Sequence, residues 1–231
     1  MKFQNLFSDL SKSGDSNRVV GIDIGSSSIK VVEVQERDDV LSLTTYGELQ
    51  LGPYADQEIG QSVVLDTKKE QQALVDIMRE SAIKATNAVF SMPLASSFVT
   101  MIDFTADPKE DISSRIRVEA RKYIPVPIGE VTLDWAEIES DFGKTENQRK
   151  VLVAAIQNQA LNRFRVLMQF ANLKEPPTEI ECFSSIRGVY KEEEKNIAVI
   201  DIGAVSTKLY LANNGLLQRM HRVRAGGVIA T

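Results

Sequence analysis

One cysteine, Cys182, and one histidine, His221, are all that this chain of 231 residues holds of either type. A lone cysteine excludes a disulfide scaffold, and a lone histidine excludes a histidine-built metal cluster or a Ser-His-Asp triad. No run approaches the roughly 18 apolar residues that cross a bilayer, and no basic start, apolar block and small-residue cleavage site marks a signal peptide. These absences predict a cytosolic protein. Positive charge is not in excess either: 27 Lys plus Arg against 32 Asp plus Glu leave −5. That balance argues against broad contact with nucleic-acid phosphates, so no nucleic-acid partner is expected.

What is present is the composition of a soluble globular protein, 43% hydrophobic and 26% charged. At about 150 residues per domain, one large domain or two small ones fit the length. A chain of this size buries roughly 70% of its unfolded surface, which is enough for a core without staples.

At the N-terminus Met1, Phe3, Leu6, Phe7 and Leu10 form an apolar stripe at roughly helical spacing, ahead of the Ser/Gly/Asp-rich Ser11 to Asn17. A short helix that docks on a partner or lipid surface and a frayed terminus both fit it. From Arg18 the pattern is strand-like. Val19 to Ile24 and Ile29 to Val34 flank Gly25-Ser26-Ser27-Ser28, and a third run starts at Val40 after the charged turn Gln35 to Asp39. Thr67 as N-cap with Glu70 three residues on predicts a capping box, and Leu74, Ile77, Met78 and Ala82 the apolar face of its helix. Ala88 to Phe90 reads as a strand ended by Pro93.

The middle of the chain changes character. Phe98 to Phe104 reads as a strand, and Asp107-Pro108-Lys109-Glu110 as a helix start with proline at the first position. Ile112, Ile116 and Ala120 share one face of that helix, which Pro125 and Pro127 end. Val131 to Ile138 and Val151 to Ile156 enclose a polar turn, and Leu161 to Leu173 is helical up to Pro176-Pro177. Strand, helix and two strands make a small α+β insert. Beyond it, Glu179 to Phe183, Ile197 to Ile202, Thr207 to Ala212 and Leu216 to Val223 read as strands, with a hairpin signal at Asn213-Asn214-Gly215. The expected divisions are an N-terminal segment 1–17, a first subdomain 18–95, the insert 96–157, a connecting helix 158–178 and a last subdomain 179–231.

Two segments repeat each other. Gly21-Ile22-Asp23-Ile24-Gly25-Ser26-Ser27-Ser28-Ile29-Lys30 aligns with Val199-Ile200-Asp201-Ile202-Gly203-Ala204-Val205-Ser206-Thr207-Lys208. Each has Asp-Ile-Gly at a strand end, a tight turn, a small hydroxyl residue five after the Asp and a Lys seven after it. One Asp-x-Gly turn is usually an ordinary hairpin; two in equivalent three-strand settings point to a duplicated unit. Glycine at such a turn lets the backbone approach a ligand, and successive N–H groups form an anion-binding concavity. The preceding Asp is placed to hold Mg²⁺ through water, which neutralises phosphate. Facing hairpins would clasp a triphosphate from both sides, with Lys30 as a point charge on it.

At these residues the chain resembles the actin-like ATPase superfamily, with Asp23-Ile24-Gly25 and Asp201-Ile202-Gly203 as its two phosphate motifs. The order of the insert resembles the subdomain of the FtsA and PilM branch. Ser91-Met92-Pro93, Glu119 to Pro127, Leu133-Asp134-Trp135 and Gly203 to Thr207 resemble the PilM family of type IV pilus assembly proteins in particular. The resemblance covers nearly the whole chain after Arg18. It implies an α/β, actin-like (ribonuclease H-like) duplicated fold with an inserted SHS2-like α+β subdomain, and a second half that stops short. In those terms, 18–95 is subdomain IA, 96–157 is IC and 179–231 is part of IIA.

The resemblance also implies a cytoplasmic, ATP-binding scaffold, peripheral on the inner face of the membrane. Its partner is the cytoplasmic N-terminal peptide of PilN, which pairs with PilO, and the pilus motor and platform are reached indirectly. An extended peptide is expected in the groove between the first half and the insert, partly by sheet-edge pairing. Carried over by position, Asp23 and Asp201 would hold Mg²⁺ and Gly25, Ser26, Ser27 and Ser28 would cradle phosphate with Lys30. Gly203, Ala204 and Ser206 complete the second loop, and Gly226-Gly227, followed by Thr231, lies near the nucleotide. Family chains run on past Thr231 to their adenosine motif, so this chain is either a fragment or one that has lost tight nucleotide binding. No residue stands out as a general base, so hydrolysis is expected to be weak or absent. The alternatives are an FtsA-like membrane-tethered division protein, or an active ATPase or kinase on the same fold.

Several residues are set aside. Lys208 is read as a solvated strand residue, Cys182 as a buried small residue and Trp135 as packing. Arg115, Arg117, Arg121 and Lys122 form a basic group, which fits a solvated face, an acidic partner or lipid headgroups. Glu192-Glu193-Glu194 is a solvated turn.

Overall fold

Alternation decides the first sheet. In β1 (Arg18–Ile24) Val20, Ile22 and Ile24 are buried while Gly21 and Asp23 on the opposite side are exposed, the period-two pattern of a strand with one covered face. The computed structural model describes residues 17–38, 40–107, 110–138, 147–174 and 178–230, with the side chains of 228 and 230 left aside. The N-terminal stripe from Met1 to Leu10 lies outside the described residues, as do Pro108, Lys109, Pro176, Pro177 and Thr231. The chain forms two compact units, Leu94–Arg163 and the remainder.

In the larger unit β1, β2 (Ser28–Arg37) and β3 (Val40–Gln50) make an antiparallel meander. Asp38 turns the chain between β2 and β3 in the left-handed region, at φ 51°, which Asp tolerates better than most residues. Next comes α1 (Thr67–Glu80), and β4 (Asn87–Met92) then returns parallel to β1. A two-residue strand, β8 (Glu179–Ile180), extends the sheet to the order β3-β2-β1-β4-β8.

Helix α1 packs against β2 and β3 through Ala73, Leu74 and Ile77. Its N-cap is Asp66, one residue before the expected Thr67, and Asp66 Oδ1 accepts the Lys69 N–H at 2.9 Å. The extended backbone of Asp66 and its short carboxylate reach the third helical amide. Thr67 is then the first helical residue, and Glu70 is buried in the first turn. Ala82, expected on the apolar face, lies past the C-cap Ser81, exposed and with φ 52°.

The smaller unit holds β5 (Ser97–Thr105), α2 (Ser113–Ala120), β6 (Val131–Glu137) and β7 (Gln148–Gln157), with the antiparallel order β5-β7-β6. Ile112, Ile116 and Ala120 meet Ile102, Val131, Val151 and Val153 in its core, and Trp135 packs against that core. Helix α2 starts at Ser113, later than the expected Asp107. Asp111 Oδ1 there accepts the Ser113 N–H at 3.0 Å and its hydroxyl at 2.7 Å. Arg115 lies 5.4 Å from the centre of the Phe104 ring and pairs with Glu110 at 3.6 Å, while Lys122 pairs with Glu119 at 2.6 Å.

A third helix, α3 (Asn158–Phe170), starts and ends earlier than the expected 161–173. In the larger unit its Phe164 meets Phe90 edge-on, 5.3 Å between ring centres. The run expected as a strand from Glu179 to Phe183 turns helical after two residues, giving α4 (Glu181–Val189). Ile180 and Cys182 alternate as in a strand, but Cys182, Ile186 and Val189 also follow the helical period, and Cys182 and Ile186 are the residues α4 buries. Helix α4 packs against β4 and β8 of the first sheet and against two strands of a second sheet, Thr207–Asn213 and Leu216–Val223.

That second sheet has the order β11-β10-β9, from β9 (Asn196–Ile202), β10 (Thr207–Asn213) and β11 (Leu216–Val223). Asn214 (φ 48°) and Gly215 (φ 74°) form the two-residue turn of the predicted hairpin. After β11 the chain enters the short α5 (Gly227–Ala230).

Candidate functional site

The two repeated segments form hairpins with the same register. Asp23 stands opposite Lys30 between β1 and β2, and Asp201 opposite Lys208 between β9 and β10. In the first turn the Gly25 N–H donates to Ser28 O at 2.9 Å; in the second the Gly203 N–H donates to Ser206 O at 3.0 Å. A Cβ added to either glycine would sit 3.1 Å from the same serine carbonyl. Ser28 and Ser206 are both buried. The duplication therefore extends to backbone geometry.

Each turn is also pinned from outside. Ser26 O and Ser27 O accept the N–H groups of Val63 and Leu51, at 2.9 and 2.8 Å. Gly203 O accepts the Gly227 N–H at 3.0 Å, and the Thr207 hydroxyl donates to Ala225 O at 2.7 Å. A Cβ on Gly226 would lie 2.4 Å from Gly203 O and 2.5 Å from Ala204 O, so only glycine allows this closure. Gly226 and Gly227 thus lie against the second loop.

The carboxylates share one electrostatic environment. Asp23 keeps solvent-exposed surface, yet enclosure by surrounding protein raises its pKa. Lys30 counters that rise, Glu181 adds to it, Lys208 counters it and Asp201 adds to it. Lys208, expected to be solvated, is instead held: its side chain is 16% exposed, with Nζ 2.6 Å from Glu181 Oε2 and 3.1 Å from Asp201 Oδ2. Burial works to lower its pKa, but its bonds to Glu181 and the charges of Glu181 and Asp201 win, and the net shift is upward. Lys30 is looser, 53% exposed and 3.8 Å from Glu48.

Glu181 was not legible as a site residue. It belongs here because α4 begins at it and touches both sheets. Tyr210, two residues after Lys208, is fully buried, and its hydroxyl has no hydrogen-bond partner among the described residues. Burial raises its pKa, with Glu181 and Asp201 adding to the rise. Asp23 and Lys30 line a cavity of about 460 Å³ together with Gly21, Val32, Val89 and Arg187. Arg187 is itself paired through both guanidinium arms with Glu179.

No group of three or more His, Cys, Asp or Glu side chains able to hold an ion gathers among the described residues. Asp201, expected at the metal, already has Lys208 on Oδ2.

Residues 21–229 match the family model described as type IV pilus assembly protein PilM. Among solved structures, the chain is similar to the PilM-PilN type IV pilus biogenesis complex, with a TM-score of 0.74, 23% identity, 91% of this chain covered and 62% of that one. It is also similar to the cytoplasmic domain of EpsL, an inner membrane component of the type II secretion system of Vibrio cholerae. There the TM-score is 0.57 at 6% identity, with 90% of this chain and 71% of that one covered. The chain thus spans less than two thirds of the PilM chain it matches. The fold is actin-like α/β, as the resemblance implied. With the family model matched from residue 21 to residue 229, the chain belongs to the PilM family of type IV pilus assembly proteins.

Proposed function

We propose that this chain is an ATP-binding scaffold of the type IV pilus inner-membrane assembly, and that it takes up the cytoplasmic N-terminal peptide of a PilN-type protein, with PilO in the same complex. The observation that carries the nucleotide part is the matched pair of hairpins with interacting Asp23 and Asp201 carboxylates. The turns Gly25 to Ser28 and Gly203, Ala204 and Ser206 are the proposed phosphate cradle, through turn amides other than the Gly25 and Gly203 N–H groups, which close the turns on Ser28 O and Ser206 O. Lys30, exposed and only loosely paired, supplies a mobile positive charge. Gly226 and Gly227 keep the second loop closed from behind.

Mg²⁺ has no cage of three or more side chains among the described residues, and a metal arriving with ATP would have Asp23 as its available carboxylate. Glu181 is engaged by Lys208 rather than free to position water, which supports binding without rapid turnover. The partner is supported by family membership and by the solved PilM-PilN complex. No described helix is long and apolar enough to cross a membrane, so membrane association is proposed to run through the partner.

Titrating a fluorescently labelled PilN N-terminal peptide, with and without ATP, tests the reading. Saturable binding below the millimolar range that shifts with ATP supports it. Absence of saturable binding in both conditions rejects the scaffold role.

A further inference from the structure

The two hairpins have diverged at one position, and the divergence concerns charge. Lys30 and Lys208 are equivalent by sequence and register, each directly across a hairpin from its aspartate. Lys30 reaches toward solvent. Lys208 is enclosed between two carboxylates from different elements, Glu181 at the start of α4 and Asp201 at the end of β9. Its charge also reaches the first hairpin, where it opposes the rise in the pKa of Asp23.

Three carboxylates gathered near a phosphate clasp would repel a polyphosphate. In such sites a divalent cation ordinarily removes that repulsion. Here an ammonium is bound to two of the three acids at hydrogen-bond distance. A lysine held this way is a fixed, strongly hydrogen-bonded point charge.

We propose that Lys208 is a resident cation that takes the charge-balancing place of a divalent metal at the second hairpin, so that the clasp binds the polyphosphate of a nucleotide without requiring Mg²⁺. This rests on the reading of the hairpins as a nucleotide site and adds to it a statement about metal dependence. Lys208 acts through Asp201 and Glu181 and is a positioning residue. Lys30 is the lysine that meets the ligand.

The test is calorimetric titration of ATP into the protein, once in excess EDTA and once in MgCl₂, for the wild type and for Lys208→Gln. The wild type is expected to bind with similar affinity in both buffers. Lys208→Gln is expected to lose about tenfold in EDTA, the scale of a lost charge-assisted bond, and to recover most of it in MgCl₂. A wild type that binds only in MgCl₂ overturns the inference and leaves the nucleotide reading standing. Failure to bind ATP in either buffer overturns the nucleotide reading and the inference with it. Equal affinities of Lys208→Gln in the two buffers overturn the role of Lys208. Should that variant not fold, the two wild-type titrations still decide the question.

Discussion

The Gly227 N–H donates to the Gly203 carbonyl at 3.0 Å and so fastens the chain after β11 to the turn of the second hairpin. Gly226 makes this approach possible, because a methyl group there would meet Gly203 O at 2.4 Å and Ala204 O at 2.5 Å, both backbone atoms that cannot swing aside. Gly226→Ala is therefore expected to destabilise the larger unit by roughly 1–3 kcal/mol, the usual cost of overpacking, and to weaken ATP binding by displacing the loop. Gly129→Ala, where a Cβ meets nothing within 4 Å, is the neutral control. Thermal unfolding and ATP titration of the two variants check this; equal stabilities would contradict it.

Glu33 is a fully buried carboxylate with each oxygen satisfied. Its Oε1 accepts from Arg18 Nη1 at 2.9 Å, and its Oε2 accepts the Lys84 and Ala85 N–H groups at 2.6 and 2.7 Å. It thereby ties the loop before β4 to β2. Glu33→Ala leaves two amides and a guanidinium without their acceptor, and a loss of about 3 kcal/mol is expected. The check is a lower urea midpoint, with a smaller shift for Arg18→Ala, whose removal leaves the two amide bonds in place. An unchanged midpoint would refute the account.

Local pattern carried much of this architecture, and long-range partners account for what it missed. The hairpins were legible because Asp, Gly, a hydroxyl residue and Lys recur at fixed spacing in both halves, and backbone geometry follows from such local sequence. The core face of α2 was legible because Ile112, Ile116 and Ala120 keep one helical period. Start signals were less secure. Asp66 and Thr67 are both good N-caps, and only the backbone of Asp66 settles which one serves. Over Glu179 to Phe183 the strand and helix periods coincide, so α4 was hidden, and with it Glu181. Lys208 followed from that: its closest partner lies 27 residues away in sequence, on a helix that the pattern did not show.

Cys182 is fully buried on α4, and burial, with the charge of Glu181 second, pushes its pKa up to about 12. The thiolate is the reactive form, so the folded protein is expected to resist thiol reagents in mildly alkaline buffer. Ellman's reagent should report close to no reactive thiol in the native state and one in denaturant. Rapid labelling of the native protein would mean that α4 opens readily from the sheets it packs against.

Asp23 links the site to acid–base behaviour of the fold. Enclosure raises its pKa above the ordinary 3.8, with Lys30 opposing and Glu181 adding to the shift. Between the ordinary value and the raised one, the folded protein holds a proton on Asp23 that the unfolded chain has already released. Stability from this group is thus complete below about 3.8 and is lost as pH rises through the folded pKa. At neutral pH the charged Asp23 is a cost that the fold carries, as functional carboxylates often are. Asp23→Asn removes the charge and is expected to raise the melting temperature at neutral pH. Because Asp23 keeps solvent access the gain should be small, and it should shrink to nothing as the buffer is taken below the ordinary carboxylate range. Melting curves of both proteins across acid and neutral pH supply the check. A variant less stable than the wild type at neutral pH would show that Asp23 is held by partners that outweigh its enclosure.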